Sequence, residues 1–338
     1  MSQDNRREQM KPERAVERYL SERRPEWSDS SHYNNKCALE RFLEFCNDEG
    51  LDNICEIDGF HISDFKQYRR DQGINEVTLY NNLSSLRTFL KWCRSMGLIE
   101  AWVVEDMVLN SPDDNARDEM LDADRADQIR TYLNKFEYGT LRHALFALLW
   151  DTGIRIGTAR GIDVDDVHPE EKYIEVRHRP DQDTPLKNGQ NAEREINLHS
   201  WASEVIEDYI QIHHTKVEDD YGRNPLFASH QGRMVRSNLR MHIQRLTRPC
   251  HSTGECPHGR ELENCDAYEE YRHASKCPSS VSPHPIRRGA ITYWLNEGNR
   301  KELVSERMNV SIDTLDEHYD ARTESEKREL RRELFDME

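Results

Sequence analysis

Residues 151–156 read Asp-Thr-Gly-Ile-Arg-Ile, and this stretch decides how the rest of the sequence is interpreted. The apolar residues before it recur at helical spacing and are Leu141, Leu145, Leu148 and Leu149. Gly153 can end that helix, because glycine readily adopts the left-handed backbone conformation that is common at helix C-termini. Arg155 follows directly, so the sequence predicts a buried helix that delivers one arginine at its end. By itself, an arginine in such a position is more often an ordinary surface residue.

Three further segments hold side chains that suit chemistry on an anion. The turn sequence TPLKNG contains Lys187, the sequence PHPIRR contains His284 and Arg287 three positions apart, and the sequence HYD contains Tyr319. Taken singly, these are a solvated turn lysine, a pair on a helix surface and a packed tyrosine. Their order and spacing along the chain instead indicate that these residues belong to one functional site.

The order and spacing resemble those of the tyrosine recombinases, the phage integrase and Xer-type family. The TGIR sequence resembles the family's T-G-x-R motif, and His284-x-x-Arg287 resembles its H-x-x-R motif. Lys187 follows Arg155 by 32 residues, and Tyr319 follows Arg287 by 32 residues. The resemblance covers nearly the whole chain. It implies a site-specific DNA recombinase that cleaves and rejoins strands through a 3′-phosphotyrosyl intermediate, in integration, excision or resolution.

The resemblance implies a mainly α fold with a small β-hairpin or sheet (α+β), divided into a helical core-binding domain and a tyrosine-recombinase catalytic domain. Residues 1–110 read as three or four amphipathic helices of a SAM-like DNA-binding domain. Residues 111–121 read as a polar linker, and residues 122–338 as the catalytic DNA breaking-rejoining domain. Strands are predicted at 173–177 and 194–198, on either side of the lysine turn.

The resemblance assigns roles to five catalytic residues. Tyr319 would be the nucleophile. Arg155 and Arg287 would clamp the nonbridging oxygens of the scissile phosphate, because guanidinium groups are planar, permanently charged donors. Lys187 would protonate the 5′-oxygen leaving group, and His284 would assist proton transfer or hold the phosphate. The phenol of a solvated tyrosine has a pKa of about 10, so neighbouring cations would help it lose its proton near neutral pH. No cofactor is required, since the cationic side chains do the work of a metal ion.

The sequence departs from the family pattern in three places. Thr158 stands where the family often has an acidic residue, and Arg288 stands where it often has a histidine. The family's L-G-H segment reads RMN here, at 307–309. Asn309 could hydrogen-bond a phosphate oxygen, and His318 adjoins the nucleophile. Asn309, His318 and Arg288 are therefore the accessory candidates.

The helix predicted at 75–96 resembles the helix with which the family grips DNA. Asn82, Arg87 and Lys91 are its predicted DNA-binding residues, with contacts mainly to phosphates and some reading of bases. The resemblance further implies double-stranded DNA as the partner and a homo-tetramer assembled on two DNA sites. The charged tail at 323–338 would pack onto a neighbouring copy.

A cysteine-rich insertion at 250–280 interrupts the catalytic domain. In a reducing compartment such a cluster suggests structural zinc more than disulfides. The predicted zinc ligands are Cys256, His258, Cys265 and Cys277, with Cys250 as the alternative fourth ligand. Their role would be to fix an irregular loop just before His284. The alternative interpretation is a surface insertion with incidental cysteines.

The formal net charge of −17 argues at first against a DNA-binding protein. A halophilic origin would explain it, because at about 1 M salt the Debye length falls to roughly 3 Å and distant carboxylates hardly repel DNA. The sequence contains no apolar run long enough for a membrane helix and no signal peptide, so we expect a cytoplasmic protein without a membrane partner.

Two other hypotheses stay open at this point. One is a catalytically weak or inactive DNA-binding protein of recombinase ancestry, which the changes at Thr158 and Asn309 favour. The other is a zinc-stabilised helical protein with no role on DNA, which only the net charge favours.

Overall fold

The computed structural model describes residues 10–105, 107–110, 119–319, 328 and 332. The chain forms two compact units, Met1–Asp118 and Glu119–Glu338. Residues 111–118 of the predicted linker lie outside the described residues, as does the charged tail at 323–338 apart from Arg328 and Arg332.

The first unit is helical in its described part. Its helices are α1 (Pro12–Arg23), α2 (Asp29–Glu49), α3 (Gly59–Asp71), α4 (Glu76–Ser95) and α5 (Ala101–Glu105). Asn75 caps α4, and its side chain accepts a hydrogen bond from the Thr78 amide. The core is aromatic: the rings of Phe42 and Phe65 meet edge to face at 5.4 Å, as do those of Tyr19 and Phe89. Such pairs add to the stabilisation that comes from burial alone.

The second unit combines helices with two small sheets. Its helices are α6 (Ala123–Phe136), α7 (Leu141–Thr152), α8 (Ile156–Gly161), α9 (Ser200–Asp208), α10 (Arg236–Leu246), α11 (Pro249–Thr253), α12 (Asp266–Glu269), α13 (Pro283–Asn296), α14 (Lys301–Met308) and α15 (Ile312–His318). Its strands are β1 (Val167–His168), β2 (Tyr173–Val176), β3 (Arg194–Asn197), β4 (Ala228–Ser229) and β5 (Gly232–Arg233). None of the helices in the described ranges is both long and apolar enough to cross a bilayer.

The predicted mainly α fold with a small sheet is confirmed. Strands β1, β2 and β3 form one antiparallel sheet, in which Ile174 lies opposite Ile196 and Val176 lies opposite Arg194. Strand β1 and the β4–β5 ribbon were not predicted. Two-residue strands are too short to show the alternation of apolar and polar residues by which a strand is recognised.

Helix α7 lies at the centre of the second unit, where all its residues from His143 to Thr152 are buried. Helix α13 passes close to the start of this unit, and a Cβ atom at Gly289 would lie 1.9 Å from the Leu121 carbonyl oxygen. Glycine is therefore required at this crossing. The ends of α7 and α13 are fixed by this packing, and these ends carry the two arginines of the sequence motifs.

A buried ion-pair network anchors the base of the loop between β2 and β3. The Asp163 carboxylate pairs with Arg233, Arg179 and Arg223, the last two at 3.4 and 3.6 Å. Arg223 also donates a hydrogen bond to the Thr184 hydroxyl at 3.0 Å. The network therefore holds the chain three residues before Lys187.

We expect Asp163→Ala to lower the free energy of unfolding by about 1.5–3 kcal/mol, because three largely buried guanidinium groups lose a shared charged partner and keep only Asp166 or Asp219. Asp183→Ala is the matched control. Its carboxylate pairs with Arg160 but is 62% exposed, so the loss should stay within about 1 kcal/mol. Urea unfolding of the two variants measures the difference, and equal losses would contradict a structural role for the network.

Candidate active site

Separate elements carry the predicted catalytic side chains toward one place. Gly153 ends α7 with φ of 60°, and Arg155 is the residue that precedes α8. His284 and Arg287 lie in the first turns of α13, one helical turn apart. Tyr319 directly follows α15 and is buried.

The two arginines and the tyrosine interact electrostatically. Arg287 is 3% exposed, and the Tyr319 side chain acts to raise the pKa of its guanidinium group. Burial lowers the pKa of Arg287 to about 10, the positive charges of Arg155 and Arg194 act in the same direction, and Tyr319 acts in the opposite one. Burial also lowers the pKa of Arg155, again opposed by Tyr319. Buried like charges of this kind are stabilised by an anion placed between them.

Main-chain carbonyl groups hold these two arginines. Arg287 donates to the carbonyl oxygens of Gly153 at 2.6 Å, Met308 at 2.8 Å and Asn309 at 3.3 Å. Arg155 donates to the same Asn309 carbonyl at 3.2 Å. Among the described residues, neither arginine forms an ion pair with a carboxylate. Because carbonyls are neutral, they orient the guanidinium groups and leave their charge uncancelled.

His284 faces the same group of cations. Burial lowers its pKa first, followed by the charges of Arg287, Arg288, Arg155 and Lys187. The exposed Lys187 is therefore within electrostatic range of His284. The Arg288 guanidinium lies 5.9 Å from the centre of the Tyr319 ring. The structure thus brings together the five predicted catalytic residues and one accessory candidate. Their roles in a reaction stay predictions.

The other two accessory candidates have different outcomes. Asn309 ends α14 in the left-handed conformation, with φ of 48°. Its side-chain oxygen accepts a hydrogen bond from Asn188 Nδ2 at 3.1 Å. The side chain of His318 is outside what the structure describes.

Arg194 on β3 was missed by the sequence analysis. Burial lowers its pKa to about 10, and the charges of Arg155 and Arg307 add to the effect. It donates to the carbonyl oxygens of Arg307 at 2.9 Å and Ala192 at 2.7 Å. A signal was present, because Arg194 is two residues from the buried Ile196 and alternation places both on one face of the strand. An arginine on a buried strand face usually has a specific partner.

The three predicted DNA-binding residues lie on α4 but do not share one face. Arg87 and Lys91 are four residues apart and lie on the same side of the helix. Asn82 is five residues from Arg87, which corresponds to about 140° around the helix. Its side-chain oxygen accepts from the Arg69 guanidinium at 3.1 Å. Asn82 lines a polar cavity of about 560 Å³ between α2 and α4.

The zinc prediction is not supported. The described residues contain no group of three or more metal-ligating side chains arranged to hold an ion. Zinc needs its ligands around one point at about 2.0–2.3 Å. The predicted ligands were Cys256, His258, Cys265 and Cys277, with Cys250 as the alternative. Cys265 and Cys277 instead pack around Ala267, and His258 hydrogen-bonds Ser279 at 3.0 Å. Hydrogen bonds hold the loop before His284, including one from the Thr247 hydroxyl to the Val281 carbonyl at 3.2 Å.

Solved structures of known proteins share the fold of this chain. The Tn1549 transposon integrase, solved in complex with a circular intermediate DNA, has a TM-score of 0.69 and 16% identity over 96% of this chain and 99% of that chain. A lambda integrase dimer bound to a COC′ core site has a TM-score of 0.65 and 13% identity over 93% of this chain and 78% of that chain. At such identities the similarity shows the fold. No curated protein sequence matches the chain.

The sequence profile of the phage integrase family matches residues 119–325, a span that contains all five predicted catalytic residues. Because this match covers more than half of the chain, the protein belongs to the phage integrase family, the tyrosine recombinases.

Proposed function

We propose that the protein is a site-specific recombinase in which Tyr319 attacks DNA and forms a 3′-phosphotyrosyl bond. One observation carries the proposal: the guanidinium groups of Arg155 and Arg287 both interact with Tyr319, and none of the described carboxylates pairs with either arginine. A phosphodiester is the anion that this arrangement suits, and a phenol beside it is a nucleophile.

In the proposed cleavage step, Tyr319 gives its phenolic proton to His284 or to water, and its oxygen forms a bond to phosphorus as the bond from phosphorus to the 5′-oxygen breaks. Arg155 and Arg287 stabilise the charge that gathers on the nonbridging oxygens. Lys187 gives a proton to the departing 5′-oxygen, and His284 holds the phosphate or moves a proton. The phosphotyrosyl bond keeps the energy of the original bond, so a 5′-hydroxyl can reverse the attack and rejoin the strand. Each of these steps uses side chains of the protein.

Double-stranded DNA is the proposed partner. The similar structures are those of a transposon integrase with a circular intermediate DNA and a lambda integrase dimer on a core site. Within the first unit, the polar cavity is lined by the arginines Arg41 and Arg69 and by Asn82. We place phosphate contacts there and along the side of α4 that carries Lys91. Assembly as a tetramer on two DNA sites, in the cytoplasm, belongs to the same proposal.

Lys91→Gln should weaken DNA binding about equally for different sequences. If Lys91 contacts a phosphate, the slope of log affinity against log salt should fall by about one unit, because one counterion fewer is released. Lys135→Gln, at the end of α6, removes the same charge where no DNA contact is proposed. Fluorescence anisotropy at several salt concentrations measures both slopes, and equal slopes would remove Lys91 from the interface.

Wild-type protein should form a covalent adduct with a nicked DNA substrate that traps the intermediate, visible on a denaturing gel. Tyr319→Phe should form none yet still bind the DNA, because only the attacking oxygen is lost. Tyr293→Phe is the matched control, since that tyrosine packs against Trp150 at 5.9 Å and should keep adduct formation. If wild-type protein bound DNA without an adduct, the inactive DNA-binding alternative would be correct.

His284 should be neutral at pH 7 in the DNA-free protein, because its pKa is lowered below the usual value of about 6.5. As the pH falls below about 6.5, this histidine is protonated in the unfolded chain before it is protonated in the folded protein. Its contribution to the free energy of unfolding is therefore complete above about pH 6.5 and is lost as the pH falls further. Binding DNA should raise the titration midpoint of the ring, because a phosphate offsets the surrounding cations. NMR titration of labelled histidine measures both midpoints. A DNA-free midpoint at or above 6.5 would contradict the expectation.

A further inference from the structure

Asn309 lies where the arginine pair meets the lysine turn. Its carbonyl oxygen accepts hydrogen bonds from Arg155 at 3.2 Å and from Arg287 at 3.3 Å. Its side-chain oxygen accepts a hydrogen bond from Asn188 Nδ2 at 3.1 Å. One residue therefore contacts both arginines and the neighbour of Lys187.

The lysine turn itself is well defined. The Gly189 amide donates to the Leu186 carbonyl at 3.1 Å and closes the turn around Lys187 and Asn188. The Leu186 amide donates to His178 Nδ1 at 2.9 Å, which holds the start of the turn on the end of β2. These bonds shape the turn but do not join it to the arginine pair. The bond between Asn188 and Asn309 makes that connection.

The residue type at 309 agrees with this connection. The position ends α14 with a positive φ, a conformation that glycine and asparagine adopt most readily among amino acids. Glycine would preserve the backbone and the carbonyl that receives the arginines, but it would offer nothing to Asn188. Asparagine satisfies the backbone and also supplies an acceptor.

We infer that Asn309 is a positioning residue that fastens the Lys187 turn to the arginine pair, so that the proton donor and the anion clamp act on the same phosphate. This inference rests on the proposed function. It predicts that Asn309 and Asn188 assist departure of the 5′-oxygen and that neither assists the attack by Tyr319.

A change of leaving group separates these two contributions. In a DNA substrate with sulfur in place of the bridging 5′-oxygen, the departing thiolate needs no proton, because a thiol is a far stronger acid than an alcohol. Single-turnover cleavage is measured on the oxygen and sulfur substrates with full-length wild type, Asn309→Gly, Asn188→Ala and the double variant. Asn264→Ala is the control: it removes a similar exposed hydrogen bond, from Asn264 to Glu261 at 2.8 Å.

On the oxygen substrate, Asn309→Gly and Asn188→Ala should each slow cleavage about threefold to tenfold, the change that corresponds to one ordinary hydrogen bond. The double variant should be no slower than the slower single variant, because both changes break the same bond. On the sulfur substrate, all three should cleave at the wild-type rate, as should Asn264→Ala on either substrate.

Equal slowing on both substrates, or no slowing on the oxygen substrate, would overturn the inference and leave the proposed function intact. If Asn309→Gly does not fold, Asn188→Ala decides alone, since its turn is exposed and it leaves the α14 backbone unchanged. Failure of the wild type to form an adduct on either substrate would instead overturn the proposed function, and this inference with it.

Discussion

The guanidinium groups of Arg155 and Arg287 lie side by side at least partly buried, and no described carboxylate neutralises them. The packing of the second unit holds the two groups in this arrangement. A carboxylate would hold Arg155 and Arg287 more tightly, but it would cancel the charge that makes them useful to a phosphate. Main-chain carbonyls at Gly153, Met308 and Asn309 orient both groups and remain neutral. Arg194 adds a bond to the next carbonyl of the same helix end, at Arg307. Three consecutive carbonyls at the end of α14 are thereby satisfied by three arginines, where helix ends otherwise need caps or water.

The elements that carry these groups are fixed by different means. Helix α7 is held in place by the burial of its residues from His143 to Thr152, and this fixes the positions of Gly153 and Arg155 at its end. The loop that holds Lys187 is fixed at its base by buried ion pairs and is exposed at its tip. A rigid base with an exposed tip is suited to a proton donor that has to approach DNA.

The sequence predicted the fold class and the five motif side chains that the structure brings together, because order and spacing along the chain constrain which residues can meet. It did not predict Arg194, although the alternation in β3 was available as a signal. It also suggested a phosphate contact for the Asn309 side chain, which stays a prediction, and it did not predict the bond that the oxygen of this side chain accepts from Asn188. Contacts between residues more than one hundred positions apart depend on tertiary packing, which local patterns do not encode. The zinc prediction was unsupported for a different reason: spacing along a chain does not establish that the side chains converge on one point.

The crossing of α13 over the beginning of the second unit has a mechanical consequence. The Leu121 amide donates to the Pro285 carbonyl at 3.1 Å, and the Leu121 carbonyl fills the space that a side chain at Gly289 would need. Pro285 lies between His284 and Arg287, so the Leu121 backbone is hydrogen-bonded to the turn that bears both residues. We therefore expect a shift of the Leu121 backbone to move the turn that carries the His284 imidazole and the Arg287 guanidinium.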